Sequence, residues 1–176
     1  MKALIQRVAK ASVTVGDRTV GSIGHGLCVL VGIHRNDTDA EMEYIVRKIL
    51  NLRLFSDGED KKWMNSVVDM DYEVLCVSQF TLESTLKGNK PDFREAMVSE
   101  KSKAFYGKFL EALKSQYKPE KIQDGEFGSY MQVHIQNDGP VTIPIEKKPT
   151  KPDSGKANSK SNDASGQAAV CQGDNS

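Results

Sequence analysis

The first 34 residues alternate apolar and polar positions or run apolar, and they are rich in β-branched side chains. The segments ALIQRV, SVTVG and TVGSI alternate, whereas LCVLVGI, which ends at Ile33, is continuously apolar. Alternation is typical of a strand with one buried face, and a short apolar run is typical of a fully buried strand. The pattern predicts three or four strands, with a tight turn at the DRT between Val15 and Val20.

Two later segments carry apolar residues at helical spacing. Thr38 with Glu41 three residues further on is a capping-box sequence, and it predicts a helix that runs to about Asn51. Ser99 is predicted to cap a second helix, which ends before Pro119. Apolar residues recur three and four apart in the first helix and four apart in the second: Met42, Ile45, Val46 and Ile49, then Phe105, Phe109, Leu113 and Tyr117.

The remaining apolar runs are strand-like. Residues 56 to 70 are polar and predict a loop, and Tyr72 to Phe80 predicts a second buried strand. Met131 to Gln136 and Val141 to Ile145 flank the sequence Asn-Asp-Gly-Pro. A hairpin turn is one interpretation, but Pro cannot donate a ladder hydrogen bond after the turn, so a functional element is the other.

This order of elements predicts an α/β fold. We expect one compact domain of mostly antiparallel sheets, barrel-like and layered, covered by two main helices. The domain comprises residues 1 to 146, a length that buries a normal core without disulfides or metals.

Composition changes sharply after Glu146. Residues 147 to 176 are rich in Lys, Ser and Asn and contain no aromatic side chain, so we expect a disordered tail. The tail holds five Lys and three Asp, which leaves 19 basic and 21 acidic residues in the domain. The domain is therefore slightly acidic, and a broadly basic nucleic-acid-binding surface is not expected.

The cysteines and the N-terminus bear on location. Cys28 and Cys76 lie in apolar runs and Cys171 lies in the tail, so no disulfide framework is predicted. The opening MKALIQRVAKASVTV is too short an apolar run for a signal peptide or a membrane span. We expect a cytoplasmic protein with no membrane partner, and the basic tail leaves nuclear access open.

Several common sites are not predicted. The sequence lacks a P-loop, a dinucleotide-binding glycine motif, an HExxH and a CxxC, so neither a cofactor nor a metal is expected. A backbone-coordinated cation would leave no side-chain signature, and that alternative stays open. No Ser-His-Asp or Cys-His triad is evident from the spacing.

Two polar segments carry candidate chemistry. Ser78, Gln79 and Thr81 bring hydroxyls and an amide to the end of a buried strand, where functional groups often lie. Alternatively, these groups only satisfy the last positions of the strand ladder. Beyond them Lys87, Lys90 and Arg94 form a positive cluster that could bind phosphate, or a solvated loop.

Four segments together resemble the D-aminoacyl-tRNA deacylases, which remove D-amino acids from tRNA. They are MKALIQRV at the start, SQFTL at 78 to 82, KGNKPDF at 87 to 93 and FGSYMQVHIQNDGPVT at 127 to 142. The resemblance covers residues 1 to 146, with the motifs in the expected order and spacing. It implies a homodimer that acts on D-aminoacyl-tRNA without a cofactor, at active sites that lie on the subunit interface.

The resemblance also implies residue roles. Catalysis falls to Ser78, Gln79, Phe80 and Thr81, assisted by the 2′-hydroxyl of the terminal adenosine of the tRNA. The Gly139-Pro140 pair is expected to be cis and to enter the partner's pocket, where its carbonyls exclude an L side chain. Glycyl-tRNA, which has no Cβ, is expected to be hydrolysed as well. Four further residues are implied to bind substrate or brace the Gly-Pro pair: Phe127, Met131, Asn137 and Arg7. Alternatively, Phe127 and Met131 are ordinary core residues and Arg7 makes a surface ion pair.

Two other functions compete with this interpretation. One is a nucleic-acid-binding accessory protein that contacts DNA through its Lys-rich tail. The other is a dimeric scaffold without turnover.

Overall fold

We analysed a computed structural model of the chain, which describes residues 1–59 and 61–149. The predicted disordered tail lies outside the described residues, except for its first three positions.

The N-terminal strands form one long ladder. β1 spans Lys2–Val15, β2 spans Arg18–Ile23 and β3 spans Gly26–Gly32, and both β2 and β3 pair antiparallel with β1. The segments ALIQRV and SVTVG therefore belong to a single strand, a continuity that the sequence did not indicate. The β1–β2 turn lies at Gly16 and Asp17, where Gly16 has φ +56°, a left-handed conformation that glycine adopts at little cost.

Two helices cover the sheet as predicted. α1 spans Asp39–Asn51, and the backbone N–H of Thr38 donates to the Glu41 carboxylate at 2.8 Å, which confirms the capping box. α2 spans Ser99–Gln116. The prediction that Ser99 caps α2 is wrong, because Ser99 is the first helical residue and Val98 precedes it at the cap position.

The second half of the chain adds shorter strands. β4 spans Glu73–Ser78 and is followed by a 3-10 turn at Phe80–Glu83, so this strand ends two residues earlier than predicted. β5 (Thr85–Lys87) and β6 (Lys90–Asp92) form a small hairpin, and β7 (Ile122–Asp124) follows a 3-10 turn at Pro119–Lys121.

The last strand, β8, spans Gln132–Glu146 and pairs with β1 along most of its length. Residues 137 to 140 are therefore not a hairpin turn. Val8 pairs with Asn137 and Arg7 pairs with Val141, so Asp138, Gly139 and Pro140 bulge out of the ladder. The turn-forming residues that suggested a hairpin instead make a bulge inside a continuous strand.

The main sheet has the strand order β2-β1-β3-β4-β7, and β8 pairs with β1. Within residues 1–59 and 61–149, only the β3–β4 and β4–β7 pairs are parallel. The sheet curves into a nearly closed barrel under the two helices, which confirms the predicted fold class. One core cluster packs the helices against the sheet, and a second consists of strand residues: Val8, Ala11, Val13, Ile23, Cys28, Leu75 and Val77.

The ends of β1 and β8 are held together by polar contacts. The Met1 ammonium lies 2.7 Å from the Asp37 carboxylate, and both groups are buried. The backbone N–H of Lys147 donates to the Met1 carbonyl at 2.9 Å. Burial raises the pKa of Asp37, and the hydrogen bond from the Met1 ammonium opposes that rise. These contacts fix the point at which β8 ends.

Candidate active site

The candidate site begins where β4 ends against β3. The backbone N–H of Gln79 donates to the Val31 carbonyl at 2.7 Å, and Leu82 N–H donates to the Gln79 carbonyl at 3.2 Å. Gly32 permits this close packing, because a Cβ there would lie 2.8 Å from the Leu82 Cβ and 3.3 Å from the Gln79 carbonyl oxygen. The 3-10 turn at Phe80–Glu83 is therefore seated directly on the backbone of β3.

The start of this turn leaves backbone donors free. A short helix cannot satisfy its own first N–H groups. Among the described residues, the amides of Phe80 and Thr81 have no backbone acceptor, whereas the Gln79 amide is already engaged by Val31. Of these two residues Phe80 lines the adjacent cavity and Thr81 does not, so the Phe80 amide is the donor that can stabilise a developing negative charge on a ligand there.

The Thr81 hydroxyl is oriented by its neighbour. The side-chain amide of Gln79 donates to Thr81 Oγ1 at 2.5 Å. In the described part of the chain, Gln79 is the only side chain hydrogen-bonded to that hydroxyl, and no basic group accepts its proton. Thr81 also lies outside the lining of the adjacent cavity, whereas Ser78, Gln79 and Phe80 line it. This arrangement gives Thr81 no activating base.

The cavity beside the strand end has a volume of about 690 Å³. Three segments form its wall besides β3: the end of β4, residues 93 to 102, and residues 127 to 133. The predicted substrate residues Phe127 and Met131 are both on this wall, and both are half-buried. An apolar cavity of this size suits one small-molecule ligand or one end of a larger substrate.

Residues 125 to 131 are held firmly against the cavity. The Tyr106 hydroxyl donates to the Asp124 carboxylate at 2.7 Å, and the Phe127 ring packs 5.7 Å from the Tyr106 ring. Burial raises the pKa of both Asp124 and Tyr106, although the hydrogen bond from Tyr106 opposes the rise at Asp124. Sequence reasoning missed this pair, since Tyr106 lies one residue from the predicted apolar stripe.

The bulge at Asp138, Gly139 and Pro140 is exposed, and its Gly-Pro peptide bond is cis. Arg7 lies beside it: its Nε is 3.1 Å from the Asp138 carboxylate and 3.3 Å from the Asp138 carbonyl oxygen. A second Arg7 nitrogen donates to the Leu54 carbonyl at 2.6 Å. The guanidinium thus links the bulge to the loop after α1, through Asp138 rather than through the Gly-Pro carbonyls.

Within one chain the bulge and the cavity are separate. None of Arg7, Asn137, Gly139 and Pro140 lines the cavity. The bulge lies at the level of Arg7 and Leu27 in the sheet, whereas Ser78 pairs with Val31, four residues further along β3. The structure therefore does not bring the two predicted parts of the site together in a single subunit.

The predicted positive cluster is partly neutralised. The Asp92 carboxylate lies 2.9 Å from the Lys87 ammonium and 2.9 Å from the Arg94 guanidinium. These contacts, with the Lys87 hydrogen bond the largest, hold the pKa of Asp92 far below its usual range. Within the described ranges, Lys90 makes no ion pair. Arg94 also lies on the cavity wall.

Two further features bear on cofactors and location. Across residues 1–59 and 61–149, no group of three or more His, Cys, Asp or Glu side chains is placed to hold a metal ion. Neither α1 nor α2 is long and apolar enough to cross a membrane.

Comparison with known proteins places this site in a family. A family model described as D-Tyr-tRNA(Tyr) deacylase matches residues 4–146. D-aminoacyl-tRNA deacylase 1 of Mus musculus is 61% identical over 146 residues, which are 83% of this chain and 70% of the mouse protein. D-aminoacyl-tRNA deacylase of Drosophila melanogaster is 58% identical over 151 residues, 86% of this chain and 95% of the fly protein.

Two solved structures share the fold. One, named c-Myc DNA Unwinding Element Binding Protein, is 60% identical with a TM-score of 0.82, and the match covers 84% of this chain and 99% of that chain. The other, described as a probable eukaryotic D-amino acid tRNA deacylase, has a TM-score of 0.69 at 17% identity over 82% of this chain and 98% of that chain.

This chain belongs to the D-Tyr-tRNA(Tyr) deacylase family. It is accordingly an enzyme, a hydrolase that acts on the ester bond of an aminoacyl-tRNA.

Proposed function

We propose that this protein removes D-amino acids from tRNA and rejects L-amino acids by shape, with each active site built from two subunits. The observation that carries the proposal is the Ser78–Phe80 strand end, which lines a 690 Å³ cavity in a member of this family. The free amides of Phe80 and Thr81 begin the turn that follows.

The proposed chemistry is direct hydrolysis. Water attacks the ester carbonyl carbon, the carbonyl oxygen takes on negative charge, and the 3′-oxygen of the terminal adenosine leaves with a proton. The Phe80 amide is the donor for the developing charge, because a donor fixed in advance stabilises it without reorganisation. The neighbouring 2′-hydroxyl of the same ribose assists the proton transfer, and an activated ester needs no protein nucleophile.

The proposed selectivity comes from the bulge at 138 to 140 of a second subunit. This bulge is exposed and lies off the cavity of its own chain, so it is available to another copy. In the proposed homodimer the Gly139 and Pro140 carbonyls face the substrate Cα. A hydrogen fits there, whereas the side chain of an L-residue collides with the backbone oxygens. Glycine carries only hydrogens at its Cα, so the carbonyls do not exclude glycyl-tRNA and it is hydrolysed as well.

The proposal is tested with three substrates. Purified protein is incubated with D-tyrosyl-tRNA, L-tyrosyl-tRNA and glycyl-tRNA, and the release of free amino acid is measured over time. We expect rapid release from D-tyrosyl-tRNA, measurable release from glycyl-tRNA and none from L-tyrosyl-tRNA. Equal rates for the two tyrosine enantiomers would refute selection by shape, and equal inertness of glycyl-tRNA and L-tyrosyl-tRNA would refute its steric basis.

Replacing the Thr81 hydroxyl tests whether the enzyme uses a protein nucleophile. Thr81 has no activating base and lies outside the cavity lining, so Thr81→Ala is expected to keep the rate within about tenfold of wild type. The rate is measured under single-turnover conditions with D-tyrosyl-tRNA. A loss of about 10³-fold or more would instead indicate covalent catalysis by that hydroxyl. Thr85→Ala, which removes an exposed hydroxyl outside the cavity, is the matched control.

The DNA-binding alternative is not favoured. The family model and the curated relatives are deacylases, and two of the three cations in the predicted cluster are paired with Asp92. The tail that this alternative needs lies outside the described residues for all but Lys147, Lys148 and Pro149. Cytoplasmic and nuclear location stays a prediction.

A further inference from the structure

Tyr130 is exposed at the edge of the cavity. It lines the cavity wall, yet it is 90% exposed, more than any other large hydrophobic residue in the described part of the chain. Its hydroxyl makes no hydrogen bond to a described residue. Because Tyr130 both lines the cavity and is open to solvent, it lies at the mouth of the cavity.

The backbone that presents Tyr130 is fixed on both sides. On one side, the Glu126 carboxylate accepts hydrogen bonds from Ser129 at 2.5 Å and from Arg18 at 2.9 Å. On the other side, Met131 packs against the strand cluster, and its sulfur lies 3.3 Å from the Glu126 backbone nitrogen. The backbone at Tyr130 is therefore held in place, so binding a ligand against the ring has to order only the rotation of this one side chain.

The cavity can take only the end of a polynucleotide. Its 690 Å³ lie within the range of about 300 to 1,000 Å³ that holds one small ligand. If it holds an aminoacyl ester and its terminal nucleoside, the rest of the strand must leave through the mouth. The nucleotide that precedes the terminal adenosine then lies at the cavity mouth, next to the exposed aromatic side chain of Tyr130.

Among the described aromatic residues at the cavity mouth, Tyr130 is the one whose ring face is not covered by another ring. Phe80 and Phe93, which also line the cavity, pack edge to face with their ring centroids 5.1 Å apart, so each covers part of the other. Tyr130 has no aromatic partner among the described residues. Single-stranded nucleic acid is commonly bound by stacking its bases on such exposed rings, because every base has a π face.

We infer that Tyr130 stacks on the base of the nucleotide that precedes the terminal adenosine, and so holds the single-stranded end of the tRNA at the cavity mouth. This inference rests on the proposed function. Tyr130 is a binding residue for the tRNA strand, and the reacting ester does not touch it.

The test compares two substrates of different length. Wild type, Tyr130→Ala and Tyr130→Phe are assayed with D-tyrosyl-tRNA and with D-tyrosyl-adenosine, an ester that lacks the preceding nucleotide. For Tyr130→Ala we expect KM to rise about tenfold with the tRNA, the size of effect seen when a stacked aromatic is removed, with kcat unchanged. Hydrolysis of D-tyrosyl-adenosine should not change, and Tyr130→Phe should keep the wild-type KM because the ring remains.

Trp63→Ala is the matched control, since Trp63 is 51% exposed and does not line the cavity. The inference is overturned if Tyr130→Ala keeps the wild-type KM for D-tyrosyl-tRNA. Equal loss on both substrates, or loss in Tyr130→Phe, also overturns it, because either result places the effect elsewhere than in stacking. A wild-type protein that hydrolyses neither ester refutes the proposed function itself, which separates the two failures.

Discussion

Gly139→Ala is expected to lower kcat/KM for D-tyrosyl-tRNA on the order of 100-fold, a loss that a displacement of about 1 Å in a positioning group can cause. Gly139 has φ +118°, a conformation that L side chains rarely adopt. A Cβ there would also lie 3.0 Å from a Val141 methyl and 3.1 Å from an Arg7 nitrogen. The bulge must therefore shift, and it can no longer face the substrate in the proposed way. Single-turnover hydrolysis measures the effect.

Gly16→Ala provides the comparison for this variant. Gly16 also has a positive φ, +56°, but no atom of a described residue lies within 4 Å of the added Cβ. It lies in the exposed β1–β2 turn, and we expect wild-type activity and only a small loss of stability. If Gly139→Ala is folded, by circular dichroism, and as active as Gly16→Ala, the bulge does not belong to the active site.

Gly32→Ala is expected to lower activity about as much as Gly139→Ala does, because it alters the other part of the proposed site, the turn at Phe80–Glu83. The new Cβ would lie 2.8 Å from the Leu82 Cβ, and because both carbons are fixed to the backbone, the turn at Phe80–Glu83 must move. We expect kcat to fall on the order of 100-fold, because the Phe80 amide loses its alignment. The free energy of unfolding should also fall, by about 1 to 3 kcal/mol, from overpacking.

Gly107→Ala separates the general effect of adding a methyl group from this local clash. Gly107 lies inside α2, and in the described part of the chain no atom comes within 4 Å of its added Cβ. We expect this variant to gain about 0.5 to 1 kcal/mol of stability and to keep full activity. Urea unfolding and the deacylation assay measure both quantities. Wild-type kcat in Gly32→Ala would show that the amides of the turn do not act in the reaction.

The sequence predicted most elements because their signals are local. The capping box at Thr38 and Glu41 and the apolar spacing after it each lie within a few residues, and α1 begins and ends as expected. Strand continuity is different, because it depends on a partner that is distant in the chain. Nothing local showed that β1 runs unbroken to Val15, or that β8 continues through Gly139-Pro140 against it.

The candidate site was predictable to a similar extent. The motif residues Ser78, Gln79 and Phe80 lie on the cavity wall with Phe127 and Met131. The contribution of Gly32 arises from a close approach between two backbones, which no sequence pattern reports. The ion pairing of Asp92 was also missed: the β5–β6 hairpin brings Lys87 to Asp92, and Arg94, two residues after Asp92, turns back onto the same carboxylate.

The path of β8 determines how a mutation in one of two alleles would affect the proposed dimer. The strand follows Met131 on the wall of its own cavity and reaches Gly139 eight residues later, roughly 26 Å along an extended chain. In the proposed dimer each subunit thus contributes its Gly139 bulge to the active site of the other subunit. A cell with one altered allele at Gly139 would then assemble mixed pairs in which the damage appears in the normal copy's cavity, while the altered copy's own cavity stays complete.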